Sequence, residues 1–247
     1  MTKILIVDSG IGGLSILREL LNEPQPHNYL YFADQAHFPY GDKSPNFVTS
    51  RLSTIVSYAL SQQISAVVVA CNTGTVHGIR ELRSSFSLPI FGVEPIVKPL
   101  SRHKHAAILA TTGTVQSPYT KNLVNKLQAD HLKTISVPNL AQAIEDMSLP
   151  QVDQIIKSLK GELATTTSLG LSCTHYPLIK NQIIKNYPHL TIYDPSKAVA
   201  RHVISSLQTN LSAEKTVSYL TTGNMLKLKK QLKFYLQKNI TAHKVLI

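Results

Sequence analysis

The sequence predicts an α/β protein built from two pseudo-symmetric domains with mostly parallel sheets and a functional site in the cleft between them. Three observations predict it. Short apolar strands alternate with amphipathic helices along most of the chain. Two strand ends recur in the same order: "ILIVDSG" (4–10) with "AILATTG" (107–113), and "VVVAC" (67–71) with "LGLSC" (169–173), at offsets of 103 and 102 residues. Those strand ends are also polar, and ligands of open parallel sheets sit outside the carboxyl ends of strands.

The elements follow in order. "KILIVD" (3–8) is a buried strand, and "GGLSILRELL" (12–21) is a helix with Leu14, Leu17 and Leu20/Leu21 on one face. "YLYFAD" (29–34) is a second strand. The helix over 44–63 starts at Ser44 and Pro45, a good cap and first-turn pair. "SAVVVA" (65–70) is a strand, 75–86 a helix and "PIFGV" (89–93) a fourth strand. The second half repeats the alternation: strand 105–111, helix 117–128, strand 134–138, helix 151–163, strand 167–172, helix 177–187, strand 191–194 and helix 196–208. The final helix, "MLKLKKQLKFYLQK" (225–238), sets Leu228, Leu232 and Tyr235/Leu236 at helical spacing between lysines.

Composition narrows the function. A chain of 247 residues with 43% hydrophobic content can bury a sizeable core. No apolar run approaches the ~20 residues of a membrane span, so no membrane partner is expected. "MTKILIVDSG" carries too short an apolar run to read as a secretory signal. Two cysteines do not make a disulfide framework, which makes a reducing cytoplasm the expected compartment. The net charge is +11, and after Glu214 seven lysines follow with no acidic residue. A solvated lysine face on the last helix accounts for these better than a nucleic-acid surface, since no aromatic residues are interleaved in the manner of such modules. Nucleic acid is an unfavoured partner that the basic C-terminus leaves open.

The chemistry lies at the repeated strand ends. Asp8-Ser9-Gly10 and Cys71-Asn72-Thr73 in the first half correspond to Thr111 to Thr114 and Cys173-Thr174-His175 in the second. Facing one another, they would frame one cleft with a thiol on each wall. "DSGIGG" does not read as a phosphate loop: its spacing is G-x-G-G and Asp8 would repel a phosphate. Its glycines are expected to permit a tight strand-to-helix turn. Each cysteine precedes a helix, whose N-terminal partial charge favours a thiolate, and His175 can share a proton with Cys173. Cys71, Cys173 and His175 are at most three ligands at no standard zinc spacing, so no metal is expected. Two opposed thiols suit proton removal from one face of a carbon and proton return to the other, with inversion. Fixed donors from Ser9, Asn72, Thr73, Thr114 and Thr174 would stabilise the carbanion and hold substrate carboxylates. A covalent thiol mechanism is the alternative, but it leaves the second cysteine idle.

Several separate stretches resemble the glutamate racemases of the aspartate/glutamate racemase superfamily: "VDSGIGGLS" (7–15), "FADQAHFPYGDKS" (32–44), "VVVACNT" (67–73), "FGVEPIVKP" (91–99), "ATTGT" (110–114) and "CTHYPL" (173–178). The resemblance implies cofactor-independent interconversion of L- and D-glutamate for cell-wall synthesis, with aspartate as the alternative substrate. It implies two like domains, residues 1–97 with 208–247 and residues 98–207, in a homodimer. Cys71 and Cys173 would be the acid/base pair, Asp8 would assist Cys71, and His175 would assist Cys173. Ser9, Tyr40, Gly41, Asn72, Thr73, Thr114 and Thr174 match substrate-binding positions, and Glu145 matches more loosely. There are two departures. Ser172 stands where the family usually has glycine and would crowd a strand end, and "GTVHGI" (74–79) replaces an expected run of small residues. Glu94 is expected to shape the crossover between domains.

Overall fold

Two wholly parallel sheets carry the same strand order. The structure is a computed structural model that describes residues 3–207, 215–237 and 241–247. Gln208 and Lys238, the last residues of two expected helices, lie outside the described residues, as do Met1 and Thr2.

The first half runs β1 (Lys3–Asp8), α1 (Leu14–Asn22), β2 (Asn28–Ala33), α2 (Pro45–Leu60), β3 (Ile64–Val69), α3 (Asn72–Ser85) and β4 (Ile90–Gly92). A short helix, α4 (Val97–Leu100), leads into the second half. There β5 (Ala106–Ala110), α5 (Thr112–Gln116), α6 (Pro118–Lys126), β6 (Lys133–Ser136), α7 (Leu140–Glu145) and α8 (Leu149–Ser158) precede β7 (Ser168–Ser172). The chain continues through α9 (Lys180–Asn186), β8 (Thr191–Tyr193) and α10 (Ser196–Ser206). It ends with β9 (Val217–Thr221), α11 (Met225–Leu236) and β10 (Ala242–Lys244).

The sheet orders are β10-β9-β2-β1-β3-β4 and β6-β5-β7-β8. Removing β9 and β10 leaves 2-1-3-4 against 6-5-7-8, so β1 corresponds to β5 and β3 to β7. These are the strands whose ends recur in the sequence, and the repeat is therefore structural. Strands β1, β3, β5 and β7 lie inside their sheets with helices on both faces, which explains their nearly continuous apolar composition. The largest core cluster joins residues of both sheets, including Ile6, Val68, Leu109 and Leu171.

Local chemistry sets the element ends. The Ser44 hydroxyl accepts from the Phe47 N–H at 3.3 Å, and Pro45 opens α2, as the sequence indicates. Helix α3 begins three residues before the expected Thr75, because Cys71 itself caps it: its sulfur accepts from the Gly74 N–H at 3.3 Å. The helix expected over 177–187 divides into a 3₁₀ turn, Tyr176–Ile179, and α9. The strands β9 and β10 and the short helices α4, α5 and α7 carry too little periodic pattern to be read in advance.

Two hydrogen bonds brace the crossover between halves. Asn72 Nδ2 donates to the Val93 carbonyl at 2.9 Å, and the Ile96 N–H donates to Ser172 Oγ at 2.9 Å. Ser172 therefore does not crowd its strand end. It is fully buried and holds the crossover. Thr75, in the departing "GTVHGI" stretch, acts similarly: its hydroxyl accepts from the Val93 N–H at 2.9 Å and donates to the Val69 carbonyl at 3.2 Å. Glu94 accepts from the Tyr119 hydroxyl of α6 and shapes this crossover.

At the end of β2, Asp34 is buried and gathers an unusual number of donors. Arg51 approaches both carboxylate oxygens at 2.9 and 3.2 Å, Tyr40 Oη donates at 2.7 Å and Thr222 Oγ1 at 2.9 Å, and His37 Nδ1 lies at 2.9 Å. Burial opposes the charge, but Arg51, His37 and Tyr40 together outweigh it and hold the carboxyl below its ordinary range.

Candidate active site

The two sheet ends bearing the cysteines open onto one small, closely packed cavity with about 20 Å³ of free space. Cys71 and Cys173 both line it, with Ser9, Tyr40, Gly41, Asn72, Thr73, Thr174 and His175. Phe38, Pro39, Thr111 and Ala141 complete the wall. Both cysteines are free and buried. Of the residues singled out in the sequence, Asp8, Thr114 and Glu145 stand behind this wall and not in it. Thr111 lines it instead.

The surroundings of the two sulfurs differ. Burial, then the nearby Asp8 charge, push the Cys71 thiol well above its ordinary pKa, against the pull of the Gly74 N–H and the Ser9 hydroxyl. The helix terminus alone therefore does not make Cys71 a thiolate. Cys173 precedes only the 3₁₀ turn and has no such cap. Its positive neighbour is His175, whose Nδ1 lies 3.8 Å from the sulfur. Burial drives that ring toward neutrality, but its hydrogen bonds to Cys173 and Glu145 and the Asp8 charge outweigh burial. The imidazolium is favoured well beyond the usual histidine range.

Glu145 anchors the imidazolium. Its Oε1 lies 2.8 Å from His175 Nε2 and accepts from the Ile11 N–H at 2.5 Å. Its Oε2 accepts from Gln35 Nε2 at 3.1 Å and Gln231 Nε2 at 2.7 Å. Burial raises its pKa, but His175, Ile11 and Gln35 bring it below the ordinary value. With both oxygens occupied in this way, Glu145 contacts His175 and does not itself line the cavity.

Asp8 accepts from the Gly10 N–H at 2.7 Å and from the Thr174 hydroxyl at 2.9 Å. Burial dominates and raises its pKa despite these donors and the His175 charge. It thus ties the first strand end to the Cys173 loop as well as influencing Cys71.

The glycines of "DSGIGG" have negative φ, so conformational freedom is not their purpose. Close approach is. A Cβ on Gly10 would fall on Glu145 Oε1, and one on Gly12 would lie 2.5 Å from His175 Nδ1. Across the cavity three hydroxyls form a triangle that joins the halves: Thr73 to Thr111 at 2.9 Å, Thr73 to Thr114 at 3.2 Å, and Thr111 to Thr114 at 3.0 Å. Tyr40 contributes to the wall while its hydroxyl is held by Asp34. Asn72 Oδ1 is buried without a hydrogen-bond partner among the described residues, although its amide nitrogen is fixed. A buried acceptor of this kind is costly unless a bound donor meets it.

Sequence reading missed Gln35, Gln231 and Asp34. Asp34 stood inside a recognised stretch, at a strand end equivalent to that of Asp8. Gln35 lay in the same stretch, but neither it nor Gln231 signalled a role, because a glutamine's role depends on a partner distant in the chain.

A duplicated parallel α/β frame with two cysteines lining one cavity beside a buried His–Glu pair is that of an enzyme of the amino-acid racemase class. The chain belongs to the Asp/Glu/Hydantoin racemase family, whose family model matches residues 14–203. It is 34% identical over 212 residues to the glutamate racemase of Leptospira interrogans, covering 83% of each chain. Its structure is similar to that of a glutamate racemase isoform from Bacillus anthracis, with a TM-score of 0.86, 25% identity, and 100% and 98% of the two chains covered. It also resembles the Escherichia coli glutamate racemase solved with L-glutamate and an activator, with a TM-score of 0.84, 27% identity, and 99% and 98% covered.

Proposed function

We propose that this chain interconverts L- and D-glutamate by two-thiol proton transfer without a cofactor, supplying D-glutamate for peptidoglycan. The observation that carries this reading is the placement of Cys71 and Cys173 at equivalent strand ends around one cavity. One sulfur, as thiolate, takes the α-proton and becomes a thiol. The carbanion's electron pair then accepts the proton of the opposite thiol, which becomes the thiolate. The configuration at the carbon is inverted and total protonation is unchanged.

Cys173 beside the His175 ring and Cys71 capped by the Gly74 N–H place the two sulfurs in the unlike surroundings that an acid and a base require. The free Asn72 Oδ1 suits the substrate ammonium. Ser9, Thr73, Thr174 and the backbone around Tyr40 and Gly41 suit the carboxylates, with Thr114 holding Thr73. The resemblance to glutamate racemases favours glutamate over aspartate. We further propose that residues 1–97 with 208–247 and residues 98–207 form the two domains, that the chain works as a homodimer, and that it acts in the cytoplasm. Among the described residues no helix is long and apolar enough to cross a membrane.

The test is incubation of the purified protein with L-glutamate in deuterium oxide. Loss of optical activity with matching loss of the α-proton signal is expected. A folded protein that produces neither overturns the reading, and a higher kcat/KM for aspartate reassigns the substrate. Gly10→Ala probes the packing of the site. Because its Cβ would displace the Glu145 carboxylate, kcat is expected to fall about 100-fold, the usual cost of an ångström-scale misplacement. Circular dichroism of the reaction measures it, and unchanged kcat would show that Glu145 placement is irrelevant.

A further inference from the structure

The basic C-terminal helix was left without a role by the sequence, and its buried face is more specific than a packing surface requires. Helix α11 grips the C-terminal end of α7 and the residue that caps it through positions four apart. Lys227 Nζ meets Asp146 at 2.7 Å, Gln231 Nε2 meets the Glu145 carbonyl at 2.6 Å, and Tyr235 Oη donates to the Ile144 carbonyl at 2.7 Å. The four-residue spacing keeps the three on one helix face.

Gln231 differs from its two neighbours because it also reaches the carboxylate. It is fully buried, and its amide nitrogen donates to Glu145 Oε2 at 2.7 Å as well as to the carbonyl. Its own Oε1 accepts from Gln35 Nε2 at 2.7 Å, and Gln35 donates to the same Oε2. The Thr221 hydroxyl donates to Gln35 Oε1 at 3.0 Å, which fixes the orientation of that amide. Thr221, Gln35 and Gln231 all come from the β2–β9 side of the larger sheet and converge on a carboxylate in the other half.

Resting on the two-thiol reading above, we propose that Gln231 is a positioning residue for the Cys173 half of the reaction: through Glu145 it fixes the His175 ring against that sulfur. The geometry is directional. Glu145 Oε1 is used by His175 and Ile11, so rotation of the carboxylate is limited by what holds Oε2. Among the described residues, Gln231 and Gln35 hold it. Without them the carboxylate swings, the imidazolium loses its alignment, and proton transfer at Cys173 slows. Cys71, capped by Gly74 and contacted by Ser9, shares none of these contacts.

Enantiomers have equal free energy, so kcat/KM must stay equal in both directions in any variant. A defect confined to one thiol appears instead in primary isotope effects. With α-deuterated L- and D-glutamate, Gln231→Met is expected to lower kcat about tenfold, as for loss of a hydrogen bond to a charged group. The isotope effect on kcat/KM should rise for the enantiomer whose proton Cys173 removes and fall for the other. Tyr235→Phe removes a neighbouring α11–α7 bond without touching the carboxylate, and should leave both isotope effects as in the wild type. Gln35→Met, at a half-buried position, should reproduce the asymmetry if Gln231→Met does not fold. Isotope effects that move equally in both directions, or a Tyr235→Phe variant that behaves like Gln231→Met, overturn the proposal and leave α11 a strap. A wild-type protein that racemises neither enantiomer instead overturns the two-thiol reading itself.

Discussion

Cys71→Ser and Cys173→Ser are each expected to lower racemisation by at least about 1,000-fold, within the range for loss of a positioned acid or base. A serine hydroxyl keeps the shape but neither gives up nor holds a proton at the required energy near neutral pH. The variants should fold, since each cysteine is a small buried side chain and neither is in a disulfide. They should also fail differently. With one thiol left, only the enantiomer whose α-proton faces it can exchange with solvent, so each variant should wash deuterium into one enantiomer and not the other. The selectivity should reverse between the two variants. Proton NMR of each enantiomer in deuterium oxide reads this directly. Wild-type turnover in either variant would rule out a two-base scheme.

The second large effect concerns stability. Asp34→Ala is expected to cost about 3–5 kcal/mol, as for a buried ion pair that loses one partner. Arg51 would be left facing a cavity, the Tyr40 and Thr222 hydroxyls would lose the acceptor they donate to, and the turn that carries Tyr40 and Gly41 would loosen. The melting temperature should fall on the order of 10 °C for a chain of this size. The sign of the pH dependence follows from the direction of the shift. The Asp34 carboxyl is held below its ordinary pKa, so its contribution is complete above about pH 4 and is lost as pH falls through the depressed value. The stability gap between wild type and variant should therefore be full at neutral pH and narrow in acid. Denaturant titrations at both pH values measure it, and a gap independent of pH would show that the carboxylate charge is not its source.

Much of the frame could be read from the residues because it rests on local pattern. The apolar strands, the Ser44–Pro45 helix start and the recurrence of "VVVAC" as "LGLSC" are all properties of short windows. The cavity residues could be read for a related reason: a strand end is both a sequence landmark and a place in space. What escaped depended on distant partners. Gln231 is an ordinary glutamine in a lysine-rich helix until Glu145, 86 residues earlier, is brought beneath it. Ser172 looked like an obstruction, since its hydrogen-bond partner, Ile96, comes from the other end of the crossover. The "DSGIGG" glycines suggested backbone freedom, and only the folded chain reveals the two side chains that need the space. Strand β9 pairs with the distant β2, and β10 adds only three residues beside β9, so no local alternation announced them.

The pairing of β2 with β9 bears on how the chain is made. Tyr29 lies beside Val217 in that ladder, whereas every pairing of the smaller sheet is contained within residues 106–193. On a ribosome the smaller sheet can close while the larger one waits for its last strands, and contacts of such long separation form late. Both thiols leave the exit tunnel well before Gln231 and β10 do. A nascent chain therefore carries Cys71, Cys173 and His175 before Gln231, the residue we propose to align the His175 ring, has been made.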